Sequence, residues 1–223
     1  MFDAILEGYK ILEEIREKSK EIVVFYSGGK DSLVVLDLCN RIFEKVVCVF
    51  MYFVPGLKCI EEQLDFARNR YGVEIVQLPH WSLIGAIRNG IYGHSRPEFD
   101  DLPDLKLKDI YYAAMKLTGI SYIATGAKAT DSQWRKRNLK STEHYEFLVV
   151  PLKNWNKYDV LYYLKKENIP IPDSSGGNAT GISLVVPEVL WLHDKHYEDF
   201  LKMEAMFPFV RAIVKRRDYY GIK

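Results

Sequence analysis

Hydrophobic and polar positions along this chain alternate between two periods. Ile5, Tyr9, Leu12 and Ile15 recur at helical spacing with charges between them, which predicts a surface helix over about residues 3–19. Ile22 to Tyr26 is a continuous apolar run without alternation, the pattern of a strand buried on both faces. Ser32 to Phe43 returns to helix, and Val46 to Phe53 is a second buried strand that Pro55-Gly56 breaks. Leu57, Ile60, Leu64, Ala67 and Tyr71 then mark an amphipathic helix, with Gly72 at its stop position. Val73 to Leu78 is a third strand. Two β-α-β crossovers in succession imply parallel strands with right-handed connections.

The second half is less regular. Trp81 to Arg88 suggests a short helix, and Gly90 to Pro103 reads as a long loop of glycines, prolines and acids. Lys106 to Leu117 is predicted helical, ended by Gly119, and Ile120 to Thr125 is a fourth strand. Ala127 to Glu143 is polar and basic with few core positions, so an exposed, mobile loop is expected. Phe147 to Val150 is a short fifth strand, and Lys157 to Glu167 a helix stopped by the prolines of Ile169–Pro172. The segment "DSSGGNATG", Asp173 to Gly181, reads as a flexible linker, and Pro187 to Tyr220 as two helices rich in Trp, Phe and Tyr.

The expected architecture is an α/β fold: a mostly parallel five-stranded sheet, Rossmann-like, with helices on both faces. It divides into a nucleotide-binding domain at 1–172, a linker at 173–186 and a small helical C-terminal extension at 187–223. Aromatic residues in that tail (Trp191, Phe200, Phe207, Phe209, Tyr219, Tyr220) could make a homodimer or pack on the chain's own sheet.

Composition narrows the class. With 48% hydrophobic and 27% charged residues over 223 positions, the chain is ordinary globular protein. A formal net charge of +1 offers no global field for nucleic acid or membrane, although nucleic acid is not excluded as a partner. No apolar run reaches the ~18 residues of a membrane span, and the charged N-terminus does not resemble a signal peptide. The three cysteines, Cys39, Cys48 and Cys59, form no CxxC pair. That disfavours a disulfide framework, a zinc site or an iron–sulfur site, and a reducing cytoplasm is the expected location.

The chemistry concentrates in "EIVVFYSGGKDSLVVLDL", Glu21 to Leu38. Gly28 and Gly29 follow a buried strand, let the backbone turn sharply and leave room for a bulky ligand. The helix that follows offers unpaired N–H groups and the positive end of its dipole, an anion site suited to phosphate. Lys30 adds a full charge, and Ser27 and Ser32 add hydroxyls. Asp31 would repel phosphate on its own, but becomes useful beside a divalent cation bridging phosphates. The pattern is neither GxxxxGK[ST] nor GxGxxG.

SGGKDS resembles the PP-loop of the ATP pyrophosphatases, the adenine nucleotide α-hydrolase-like superfamily. Two more segments resemble its phosphoadenosine-phosphosulfate (PAPS) reductase branch. In "TGAKATDSQWRKRN", Gly126, Asp131, Ser132 and Arg135 occupy places of a G-x-R-x-x-E-S-x-x-R pattern. Lys128 stands where that pattern has Arg, and Lys cannot make a planar bidentate clamp. In "VVPLKNWNKYDVLYYLKKENIPIP", Pro151, Leu152, Trp155, Asp159, Val160 and Tyr163 fall on a P-L-x-x-W-x-x-x-D-V-x-x-Y pattern. This segment reads as structural, with Asn156 capping a helix that Trp155 and Tyr163 pack on the sheet.

The resemblance implies an enzyme that uses ATP or PAPS with Mg²⁺ and works at the α-phosphorus. Ser27, Gly28, Gly29, Lys30, Asp31 and Ser32 would hold phosphates, with Asp31 placing the metal. Gly126, Lys128 and Arg135 would contact phosphates or an acidic substrate, and Met51, Tyr52 and Phe53 would receive the adenine. Lys30, Asp31 and Arg135 are the expected catalytic groups, and the partner is the nucleotide with an unknown small or macromolecular acceptor. Sulfonucleotide reductases of this branch need a redox cysteine near the C-terminus. Here no cysteine follows Cys59, so adenylyl transfer, with or without sulfur insertion, is favoured over reduction, and a non-catalytic nucleotide-binding module is the third reading. Cys59, near a helix start, could be an activated thiol or a packing residue. His193 and His196, three apart on an expected helix, suggest surface roles rather than a metal. His94-Ser95-Arg96 could close over a substrate or be plain surface.

Overall fold

In the computed structural model, residues 2–142, 145–171 and 183–221 are described. The chain runs α1 (Phe2–Arg16), β1 (Glu21–Phe25), α2 (Lys30–Ile42), β2 (Lys45–Tyr52), α3 (Lys58–Tyr71), β3 (Glu74–Pro79), α4 (Leu83–Arg88), α5 (Leu107–Thr118), β4 (Ile123–Thr125), α6 (Gln133–Thr142), β5 (Leu148–Val149), α7 (Lys157–Lys166), α8 (Val186–Lys195), α9 (Tyr197–Met206) and α10 (Arg211–Tyr220). All strand pairs are parallel, in the order β3-β2-β1-β4-β5.

The unbroken apolar runs of β1 and β2 serve two cores. Ile22, Val24, Cys48 and Phe50 face one side of the sheet, with α2, α3 and α7. Val23, Phe25, Val47 and Val49 face the other, against Ile110, Tyr111 and Ala114 of α5. Both faces are thus dry, as a parallel sheet requires. The C-terminal helices share the first core: Val189, Leu192, Phe200, Met203, Phe207 and Val214 are buried in it. Of the tail aromatics, Phe200 and Phe207 are therefore interior, whereas Phe209, Tyr219 and Tyr220 are exposed.

Three expectations need correction. The polar stretch after β4 is not all loop, because Gln133–Thr142 forms helix α6. Ser132 starts it by accepting the Arg135 N–H at 3.1 Å. Leu139 is its buried apolar anchor, too little to register as amphipathic periodicity. The tail holds three helices rather than two, and His196, expected within a helix, sits at the corner between α8 and α9. The expected Asp173–Gly181 linker lies outside the described residues.

The segment from Pro151 to Tyr163 is structural, as expected. Trp155 is fully buried and donates its indole N–H to the Ala4 carbonyl at 2.8 Å. Asn156 accepts the N–H groups of Tyr158 and Asp159, and Asp159 accepts the N–H of Asn156 at 2.9 Å, a reciprocal cap of α7. Tyr163 donates to Asp37 of α2 at 2.7 Å, and Arg41 donates to the same carboxylate oxygen and to Glu167. This network bolts α7 to the helix that begins at Lys30. Tyr163→Phe should leave the buried Asp37 short of a donor and cost about 1–3 kcal/mol in denaturant unfolding; an unchanged midpoint would show that the hydroxyl carries no load.

Candidate functional site

The chain passes from β1 outward through β2 to β3, then returns to place β4 on the other flank of β1. Outside the carboxyl ends of β1 and β4 lies the crevice where open parallel sheets bind ligands. The loop Tyr26–Gly29 and the start of α2 form one lip, and residues 126–132 form the other.

Local geometry explains the glycines. Gly28 has φ +76°, and a Cβ there would run into the Gln63 carboxamide of α3. A Cβ on Gly126 would lie 3.0 Å from the Asp31 carbonyl carbon and the Ser32 nitrogen, so glycine lets the two lips touch. Gly29, by contrast, is extended at φ −80°, ψ 160°. Ser32 is buried and closes the loop on itself. Its hydroxyl donates to the Gly29 carbonyl at 2.9 Å and accepts the Ser27 N–H at 3.1 Å, while the Ser27 hydroxyl lies 3.2 Å away. No side chain caps α2, whose positive dipole end is left for an anion.

Asp31 lies between two lysines. Lys30 Nζ is 3.0 Å from its Oδ2, and Lys128 Nζ is 2.6 Å from its Oδ1. The second contact is short and joins two opposite full charges. Lys128 is 2% exposed and also meets Asp131 at 3.2 Å. It is thus the interior cation joining the β4 lip to the β1 lip, not part of a surface basic cluster. Arg135, Lys136, Arg137 and Lys140 do lie exposed, on α6. The β4 lip is braced from behind, where Ala129 N–H donates to the Lys153 carbonyl at 2.9 Å and the Thr130 hydroxyl to the Trp155 carbonyl at 2.7 Å.

Met51, Tyr52 and Phe53 are half-buried at the end of β2. Phe53 stacks on His80, ring centroids 4.4 Å apart at 24°, and Trp81 adjoins His80 at 5.4 Å. The His80 N–H donates to the Tyr52 carbonyl at 2.8 Å, and its Nδ1 lies 2.9 Å from the Ser82 hydroxyl. This aromatic wall was missed in the sequence; the signal was His80-Trp81 following directly on β3, whose Pro79 pairs in register with Tyr52. His94 instead packs edge-on against Phe209 of the tail, 4.8 Å between centroids.

Cys59 is buried at the first turn of α3, but the helix dipole does not activate it. Asp199 of α9 accepts the N–H groups of Lys58 and Cys59, both at 2.8 Å, and so occupies the helix end. Burial, then Asp199, pushes the thiol pKa well up. Cys39 and Cys48 are buried thiols in α2 and β2, each also pushed up by burial.

Comparison with known families decides the relationship. Residues 21–173 match the model of the phosphoadenosine phosphosulfate reductase domain. The chain belongs to that family. The PAPS reductase-like domain thus spans the sheet, both lips of the crevice and the α7 bolt. No curated protein matches the chain. Among solved structures, the NH3-dependent NAD synthetase of Campylobacter jejuni is similar in fold, with TM-score 0.53 and 14% identity, covering 99% of this chain and 96% of that one. The U34-tRNA thiolase NcsA of Methanococcus maripaludis, which carries a [4Fe-4S] cluster, gives TM-score 0.51 and 15% identity over 94% and 78%. FMN adenylyltransferase of Candida glabrata, bound to FMN and an ATP analogue, gives 0.52 and 19% over 77% and 57%. At these identities the likeness is one of fold.

Burial lowers the pKa of His80. The folded state therefore prefers neutral His80, while the unfolded chain gains a proton near pH 6.5. Stability should hold above that pH and fall as pH drops from there toward the folded-state value. In His80→Gln that part of the acid loss should vanish from the difference between pH 7.5 and pH 5.5 unfolding curves; an identical pH dependence in both proteins would rule it out.

Proposed function

We propose that this protein uses ATP to adenylate an acceptor, cleaving at the α-phosphate and releasing pyrophosphate. The observation that carries the reading is the crevice at the sheet's switch point, where the uncapped start of α2, Lys30 and the Gly28 turn converge. Phosphates would lie against the N–H groups of the first turn of α2, with Lys30 turning from Asp31 to meet them. The adenine would rest by Met51–Phe53, against the Phe53–His80 wall. The fold neighbours support adenylyl chemistry, since one is an FMN adenylyltransferase bound to an ATP analogue.

Each residue has a distinct task. Lys128 holds Asp31 and Asp131 and so keeps the lips in register. Ser32 keeps the loop closed, and Ser27 offers its hydroxyl to the phosphates. Arg135, exposed on α6, would meet the phosphates or an anionic acceptor. These groups position the nucleotide and stabilise charge that grows on the leaving pyrophosphate, which is how phosphoryl-type centres gain rate without a covalent protein nucleophile. Among the residues present, Asp31 fits Mg²⁺. Its Oδ2 would come free as Lys30 turns to the phosphates, and nucleotide magnesium sites need only one or two carboxylates besides phosphate oxygens. Mg²⁺ would supply charge neutralisation at the phosphates.

Sulfonucleotide reduction is the weaker reading. It needs a reactive thiolate, whereas all three thiols are buried and their pKa values are raised.

Lys30→Ala should weaken ATP binding at least ~100-fold in calorimetric titration, since a charge-assisted phosphate contact and its positioning are both lost. Unchanged affinity for both ATP and PAPS would refute the site.

A further inference from the structure

A second cluster lies at the first turn of α3, between the nucleotide domain and the tail. Cys59 Sγ, a ring nitrogen of His196 and a carboxylate oxygen of Asp199 all lie within 4.8 Å of one another. We propose that these three residues bind a divalent transition metal of the zinc class, which pins the C-terminal helices to α3.

The donor set suits such an ion. A thiolate, an imidazole and a carboxylate together match the borderline-soft preference of Zn²⁺, and three protein ligands with one water complete a tetrahedron. A hard ion such as Mg²⁺ would not choose sulfur and nitrogen. The ligands come from separate elements: Cys59 from the first turn of α3, His196 from the corner before α9, and Asp199 from the first turn of α9. His196 and Asp199 are three apart, so the start of α9 brings both to one side.

The surroundings orient the ligands. The Lys58 and Cys59 N–H groups hold the two Asp199 oxygens at 2.8 Å, and Lys202 Nζ lies 3.3 Å from Oδ1. Trp191 packs on the His196 ring, 4.5 Å between centroids. Such outer contacts fix ligand direction before an ion arrives. Cys59 and Asp199 are buried at 3% and 2% exposure, while half-buried His196 leaves a path for the ion and its water. On binding, the Cys59 thiol proton leaves to solvent and the thiolate takes the metal. The thiolate and carboxylate charges balance the dication.

The site bears on the crevice through α3. Gln63, one turn beyond Cys59, stands against Gly28. A metal that fastens the tail to α3 would steady that wall of the nucleotide loop. The metal site stands or falls independently of the adenylyl-transfer reading, because its test uses no nucleotide.

The test loads the full-length protein with Co²⁺, dialyses it, and measures metal content and the absorption spectrum. The wild type should retain one Co²⁺ per chain with a near-ultraviolet thiolate-to-cobalt band. His196→Gln, which keeps the buried residues intact, should bind more than ~100-fold more weakly, and Cys59→Ser should lose the thiolate band. Zn²⁺ should raise the wild-type unfolding temperature but not that of His196→Gln. No retained metal, a spectrum without the thiolate band, or equal affinity in wild type and His196→Gln would each overturn the proposal.

Discussion

The ion pair between Lys128 and Asp31 is the joint on which the crevice depends. One partner follows β4 and the other opens α2, so the pair spans the two lips that a reversal of strand order leaves side by side. Lys128 has almost no access to water, and Asp131 shares its charge. Removing one partner of such a pair leaves a buried charge unpaired, which typically costs about 3–5 kcal/mol. Gly126 makes the pair reachable, because any side chain there would press on the backbone of Asp31 and Ser32. Loop shape, lysine placement and helix start are thus one coupled arrangement rather than separate site features.

Much of this was legible in the sequence. The doubly buried strands declared themselves as unbroken apolar runs, and SGGKDS marked the turn from β1 into α2. Asn156 and Asp159 were readable as helix furniture because capping is local. What sequence could not show was which groups meet across the sheet. Lys128 looked like one cation in an exposed basic run, yet the return of β4 beside β1 buries it against Asp31. Helix α6 escaped notice because Leu139 alone anchors it among polar residues. Whether the dipole at the start of α3 activates Cys59 was open in the sequence, because the residue that occupies that helix end, Asp199, lies 140 positions away.

That long-range cap also changes the standing of the tail. Its helices supply Phe200, Met203 and Phe207 to the main core, and Asp199 to the helix that walls the nucleotide loop. Tail and crevice are therefore mechanically connected through α3, with Gln63 against Gly28 as the last link. Asp199 also removes the helix-dipole activation that a reactive Cys59 would need. Its sulfur faces a carboxylate and an imidazole in the interior rather than a substrate.

The proposed chemistry is one of positioning: an oriented helix start, one lysine to turn to phosphate, and an aromatic wall to receive a base. The most direct measurement is backbone amide shift mapping by NMR while ATP with Mg²⁺ is added to the intact protein. The account predicts that the amides of Gly28 to Ser32 shift most, with those of Tyr52 to Val54 and Gly126 to Lys128 following. Saturable ATP binding that left the Gly28–Ser32 amides unmoved would contradict it.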